Sequence, residues 1–402
     1  MAQLVALWQT VVSLSSGLAF TDLERARDRR TMNAPKTLLA NFAASRENNF
    51  DLIRLIAAMS VLVFHCYRLT GTAVPASPRL IADFFGAVVE QGVPVFFAIS
   101  GFLIARSWVS NPRVLTYASK RLLRLIPALV VCVGLISFVL GPALTTLELG
   151  AYLSNQTPYL YVLRSAVLFT FHGILPGVFT DNPYPDAVNG SLWTLPVEAS
   201  AYFAIGALGL VGLMTRRWGL ASVFAAALLL ASPLVSLAAF APVAAENGAA
   251  TGTPNLVISL LAVFFAGSLL FVYRRHVILN WWLAAVLAGL WLLTWDSAWA
   301  GVIAPLTIPY LVLITAYRTP RALSRLTRPG DVSYGVYIYA FPIQQSIAAI
   351  WTGVDPVAMF VVAAPLAYLA GLASWRLIEK PALALKRRLP PATVGLTSRL
   401  PE

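Results

Sequence analysis

Residues 51–70 read DLIRLIAAMSVLVFHCYRLT. At 1.5 Å rise per residue, twenty residues make about 30 Å of helix, the thickness of a bilayer's hydrocarbon core. The stretch is apolar except for Asp51 and Arg54 near its start, His65 within it and Arg68 near its end. It reads as a membrane-spanning helix with one imidazole at depth. Comparable stretches lie near 85–106, 123–143, 195–214, 220–240, 256–273, 277–295, 299–317, 332–352 and 356–376. The expected fold is therefore all-α: a polytopic membrane bundle of about ten transmembrane helices.

Composition points the same way. Of 402 residues, 58% are hydrophobic and only 11% charged, against about 25% charged in a soluble chain. This excludes a soluble enzyme, a disulfide scaffold, a disordered chain and a β-barrel, which needs short alternating strands. The net charge of +12 falls in particular loops, so it signals orientation and not a nucleic-acid partner. Basic residues precede the first stretch (Arg25, Arg27, Arg29, Arg30, Lys36, Arg46) and follow the second, fourth, sixth, eighth and tenth. Few lie on the other side: Arg68, Arg79 and Arg164. The positive-inside rule then puts both termini in the cytoplasm.

Segment 157–175 is apolar but holds Arg164 and His172. Were it to span, the charge alternation downstream would invert, so it is expected as an interfacial or re-entrant helix on the outer side. The first 20 residues lack the basic start of a signal peptide and read as an amphipathic helix, an extra span or a start-site artefact, with Met32 an alternative start. The expected division is a cytoplasmic segment 1–47, a membrane domain 48–385 and a basic cytoplasmic tail 386–402. The two cysteines, Cys66 and Cys132, lie in apolar runs with no metal-ligand spacing, and no metal is expected; Cys66 reads as a buried, inert thiol.

Ionisable groups inside a span are costly, about 2.5–3.5 kcal/mol for a central Arg or Asp, and mark functional sites. Arg54 and His65 are eleven positions apart, three turns plus about 20°, and so share a face with a rise of roughly 16 Å. Small residues lie between them (Ala57, Ala58, Val61), which suggests a slot with a cation at its cytoplasmic mouth and an imidazole at its inner end. His65 reads either as a base or nucleophile or as a hydrogen-bonded core histidine. Arg54 reads alternatively as an interfacial cation paired with Asp51. Ser100-Gly101 sits mid-helix, where backbones approach closely; Ser100 either meets a substrate or bonds to its own helix. In NGSLWTLPVEASAYF (189–203), Thr194 and Pro196 fit a helix start on the outer side. Glu198 then falls in its first turn, as a dipole-favoured acid or as an acid that orients a base or a sugar hydroxyl. Trp193 is positioned to stack on a sugar ring or to anchor at the interface.

Six motifs in order resemble the acyltransferase-3 family of bacterial integral-membrane acyltransferases. They are FDLIRLIAAMSVLVFH (50–65), GVPVFFAISGFLI (92–104), KRLLRLIPAL (120–129), SLWTLPVE (191–198), DVSYGVYIYAFPIQQ (331–345) and WRLIEKP (375–381). The resemblance covers about residues 48–385. It implies transfer of an acyl group, usually acetyl from acetyl-CoA, to a hydroxyl of a cell-surface polysaccharide or lipid-linked sugar, or in some branches of a small metabolite, at a bacterial inner membrane. It implies that Arg54 and His65 are needed for activity, that Ser100 and Gly101 belong to the second-span signature, and that Arg121, Arg124 and Glu198 hold functional charged positions. Many members carry an acid where this chain has Pro94 and a histidine where it has Ala340, so neither group is available here. The joint expectation is that Arg54, Arg121 and Arg124 hold CoA phosphates, while an acceptor arrives from outside past Glu198 and Trp193 to His65. A transporter or an inactive scaffold is the competing reading; no inverted repeat supports the first.

Overall fold

The computed structural model describes residues 37–43, 47–73, 88–168, 173–214, 216, 218–234, 254–327 and 330–388. The N-terminal stretch with Met32, the residues Arg79 and His172, and the end of the tail lie outside these. Every expected apolar stretch contains a helix: α1 Phe50–Thr70, α2 Gly92–Ser110, α3 Val114–Leu135, α4 Thr194–Leu210, α5 Gly219–Ala231, α6 Pro254–Val272, α7 Trp281–Thr294, α8 Ala300–Arg318, α9 Ser333–Ile350 and α10 Pro356–Ser374. Among the described residues the only β contacts are isolated bridges, as at Thr145 and Val178.

Five helices are long and apolar enough to cross a bilayer: Phe50–Thr70, Gly92–Ser110, Val114–Leu144, Ala300–Arg318 and Pro356–Ala384. Helices α4, α5 and α7 are apolar but shorter, α5 having 13 residues, and the apolar part of α6 covers Leu256–Val272. The outward surface is apolar, with Phe203 79%, Trp282 83%, Leu293 85% and Val361 64% exposed, the kind of belt that lipid and not water solvates. The chain is a membrane protein.

Helix α9 is the hub. Twelve of its eighteen residues are buried, including Gln344 and Gln345. An amide is tolerated there because the NH2 group of each finds acceptors. Gln344 donates to the Leu62 carbonyl of α1 at 2.9 Å. Gln345 donates to the carbonyls of Tyr184 and Ala187 at 2.8 and 2.7 Å. Those carbonyls belong to the 173–193 loop, which enters the bundle; Asn189 donates to the Ile338 carbonyl at 2.8 Å. Irregular backbone at this depth survives only where protein groups satisfy it.

This loop corrects one expectation. Helix α4 does not begin at the outer surface: Ser191, Thr194 and Leu195 are 2%, 4% and 3% exposed, so its first turn lies inside the protein. The 157–175 segment forms a helix over Thr157–Ala166, about 15 Å long and too short to cross, which agrees with the non-spanning reading.

Helices α2 and α6 meet backbone to backbone. A methyl group on Gly101 would overlap the Phe264 carbonyl, and one on Gly267 the Ala98 carbonyl. Ser268 locks the contact by donating to the Gly101 carbonyl at 3.0 Å. Since the obstacle is backbone, Gly101→Ala is expected to destabilise by about 1–3 kcal/mol or more, seen as a lower melting midpoint in detergent. Gly134→Ala in α3, where nothing lies within 4 Å, is expected to be neutral or to gain about 0.5–1 kcal/mol from helix propensity. Equal midpoints for the two variants would refute the close-packing account.

Candidate active site

Two neighbouring cavities occupy the bundle. The first, about 370 Å³, is lined by Arg54 and Asp51 of α1, Ser100 of α2, Arg121 and Arg124 of α3, Glu198 and Tyr202 of α4, Asp331, Tyr337 of α9, and Lys386. The second, about 600 Å³, is lined by His65, Glu90, Gln91, Pro94, Ser191, Trp193, Ser259 and Trp295 among others. Val93 and Tyr337 line both, so they form part of the partition between them.

The arginines are set by a buried carboxylate that the sequence reading did not single out. Asp331 Oδ2 accepts from Arg124 at 2.6 Å and from Arg54 at 3.5 Å, and Ser333 donates to Oδ1 at 2.6 Å. Arg124 also reaches Glu379, its side chain 1% exposed, at 3.2 Å, and Ser374 donates to Glu379 at 3.0 Å. Burial pushes the Asp331 carboxyl up, but the two guanidiniums and the Ser333 bonds outweigh it and hold it below the usual carboxylate range. Arg54 keeps the expected Asp51 contact at 3.5 Å. A buried cation needs a buried anion; with Arg54 and Arg124 both in apolar surroundings, the acids inside DVSYG and WRLIEKP were the legible signal.

Ser100 does not bond to its own helix. Its hydroxyl donates to Glu198 Oε1 at 2.6 Å, and the Tyr202 hydroxyl donates to the same oxygen. The i, i+4 spacing of Glu198 and Tyr202 on α4 makes their meeting automatic. Arg121 places its guanidinium over the Tyr202 ring, 5.9 Å from the centroid. Among the described residues Arg121 makes no ion pair, and its Nε is buried without a hydrogen-bond partner. Glu198 was expected at the outer, acceptor side; because α4 starts inside the bundle, it instead faces the arginines.

His65 stands in the second cavity. Its ring packs edge-on to Phe341, centroids 5.0 Å apart, and among the described residues its Nδ1 is buried without a hydrogen-bond partner. Among these residues no hydrogen bond at Nδ1 anchors the ring to a neighbouring helix, which favours the base or nucleophile reading over the hydrogen-bonded core histidine. Nor is there one open slot along α1. Ala57 and Ala58 are buried, at 4% and 1% exposure, with α2 closing on Ala57 at Gly92 and Ala58 packed in a cluster with Val336 and Ala340 of α9. Arg54 and His65 face different cavities across the Val93–Tyr337 partition. Gly101 lines neither; its place is the α2–α6 contact. Pro94 lines the His65 cavity. Cys66 is buried and accepts from Gln344 at 3.1 Å.

A family model described as an acyltransferase domain matches residues 47–376. The chain belongs to this acyltransferase family. Two curated relatives align over most of their length. One, "Nodulation protein 10" of Rhizobium leguminosarum bv. viciae, is 29% identical over 86% of this chain and 96% of its own. The other, "O-acetyl transferase" of Shigella phage Sf6, is 31% identical over 83% of this chain and 96% of its own. No solved structure matches. The acyltransferase is therefore an enzyme whose matched region contains α1 and most of the arginine cavity's lining; Glu379, and Leu383 and Lys386 of the cavity wall, fall just beyond it.

Proposed function

We propose that this acyltransferase moves an acetyl group from cytoplasmic acetyl-CoA to a hydroxyl of a cell-surface or lipid-linked sugar. The observation that carries the reading is the pair of abutting cavities: one lined by fixed guanidiniums, the other by an imidazole, with Val93 and Tyr337 common to both. Arginines suit phosphate because the guanidinium fork matches its oxygens. Arg121, with no acid of its own among the described residues, is the first contact assigned to CoA. Arg54 and Arg124 are held in place by Asp331 and Glu379.

In this reading the thioester carbonyl reaches the partition and the acceptor hydroxyl enters the His65 cavity, where Trp193 and Trp295 offer flat apolar faces for a sugar ring. His65 removes the hydroxyl proton, the new C–O bond forms at the acetyl carbonyl, the C–S bond breaks, and the CoA thiolate takes up a proton on departure. A relayed version would put the acetyl group on His65 first. Glu198 acts as a positioning residue that orders Ser100 and Tyr202 where the pantetheine arm passes. The phage relative, named an O-acetyl transferase, supports acetyl as the group carried. Ten crossings, both termini cytoplasmic and an inner-membrane location complete the proposal, supported by the charge alternation of the loops.

The test is binding of tritiated CoA and slow release of free CoA from acetyl-CoA by the detergent-purified protein without acceptor. Measurable binding together with slow hydrolysis is expected. Neither binding nor hydrolysis in a folded preparation would overturn the donor assignment and bring the transporter reading forward.

A further inference from the structure

Beyond α10 the chain does not leave the bundle. It continues through a π-helical turn, Trp375–Glu379, a short helix, Lys380–Ala384, and a last turn, Leu385–Arg388. Glu379 turns inward to Arg124, which ties this segment to α3. Trp375, Leu383 and Lys386 then line the arginine cavity.

The charges that face Lys386 come from several elements. Helix α3 contributes Lys120, Arg121 and Arg124. Around the same cavity stand Arg54, Asp51, Glu198, Tyr202 and Asp331. The acids are engaged elsewhere: Asp331 and Glu379 by arginines, Asp51 by Arg54, Glu198 by Ser100 and Tyr202. Among the described residues Lys386 forms no ion pair. A flexible ammonium has thus been placed beside three other cations at the wall of a cavity. Such an arrangement is unfavourable on its own and becomes favourable when a polyanion enters.

We propose that the segment after α10 is a wall of the donor site and that Lys386 on it binds a phosphate of the CoA donor, so that donor affinity depends on the charge of this one side chain. The inference rests on the donor reading above and extends it to a residue outside the matched family region. The cavity's own field supports it. Burial first, then Arg121, Arg124 and Lys120, push the Lys386 ammonium down to about 8 from an ordinary 10.5. An entering phosphate opposes all three cations and restores the proton. Affinity is then full below about pH 8 and falls as pH rises through it, because deprotonated Lys386 no longer attracts the anion.

The experiment is equilibrium binding of tritiated CoA to the full-length detergent-purified protein at about pH 7 and about pH 9.5, for wild type, Lys386→Met and Lys386→Arg. Wild type is expected to weaken several-fold at the higher pH. Lys386→Met is expected to bind about tenfold more weakly already at the lower pH, the size of one charge-assisted contact. Lys386→Arg is expected to bind tightly at both, since arginine does not titrate there. Hydrolysis of S-acetylpantetheine, which has the thioester but no nucleotide phosphate, separates contact from structure: Lys386→Met is expected to hurt the CoA thioester at least about fivefold more. Unchanged affinity and pH profile in Lys386→Met would overturn the proposal. So would an equal loss with both thioesters that Lys386→Arg fails to restore. If wild type binds no CoA at either pH, the donor reading itself fails, a result distinct from either of these.

Discussion

His65→Ala is expected to lower transfer of acetyl from acetyl-CoA by about 10²–10⁴-fold, the range for loss of a general base, while CoA binding stays close to wild type. The split follows from the two cavities. His65 lines the second and not the first, so removing its ring deletes the proton acceptor without touching the guanidiniums. Stability should change little, because the ring's aromatic neighbours are Phe341, met edge-on, and Phe64, met at a tilt, with no hydrogen bond lost at Nδ1. Arg121→Ala is expected to show the reverse, weakened CoA binding with turnover recovering at high donor concentration. The measurement is steady-state kinetics beside a CoA binding isotherm for each variant. A His65→Ala protein that loses binding and turnover together would mean that imidazole and donor share one site, against the partition at Val93 and Tyr337. Rapid quenching with radiolabelled acetyl-CoA and no acceptor decides between the two routes: label on His65 would replace direct transfer by the relay.

The second large effect is on folding. Asp331→Ala is expected to destabilise the protein by about 3–5 kcal/mol, as when one member of a buried ionic cluster is removed. Asp331 answers two arginines, with its side chain only 12% exposed. Without it Arg54 loses one of its two acids, and Arg124 keeps only Glu379. Melting in detergent reads the loss, and the penalty of Asp331→Ala combined with Arg124→Met should be smaller than the sum of the two single penalties, because both variants break the same pair, a coupling the double-mutant cycle measures. Additive penalties would show that the three charges do not act as a unit. The sign with pH is fixed. A carboxyl held below its ordinary value contributes stability above the unfolded value of about 3.9 and loses it as pH falls through the folded one. Wild type should therefore lose stability in acid by this route and Asp331→Ala should not.

The residues differ in how readily sequence exposes them. Arg54 and His65 stand out because each interrupts an apolar run, and the cost of such an interruption is local to the helix that bears it. Their partners are not local. Arg54 meets Asp331 across 277 positions and Arg124 meets Glu379 across 255. Asp331 and Glu379 lie at or beyond the ends of their apolar stretches, where an acid attracts no notice. Ser100 and Glu198 were both visible, but their contact across 98 positions was hidden behind the assumption that α4 starts at the outer surface. Nothing within TLPVE tells a helix that begins in headgroups from one that begins inside protein; the difference lies in Tyr337, whose hydroxyl meets Thr194 at 2.6 Å and the Ser191 carbonyl at 2.9 Å.

The sequence by itself determined the helices, their apolar character, the membrane class and the family, because each depends on runs of neighbouring residues and on motif order along the chain. Only the tertiary structure decided that the face shared by Arg54 and His65 opens into two cavities, that Gly101 packs α2 on α6, and that the segment after α10 walls the arginine site. Those outcomes depend on which helix closes on which face, and that is settled by side chains hundreds of positions apart competing for the same buried space.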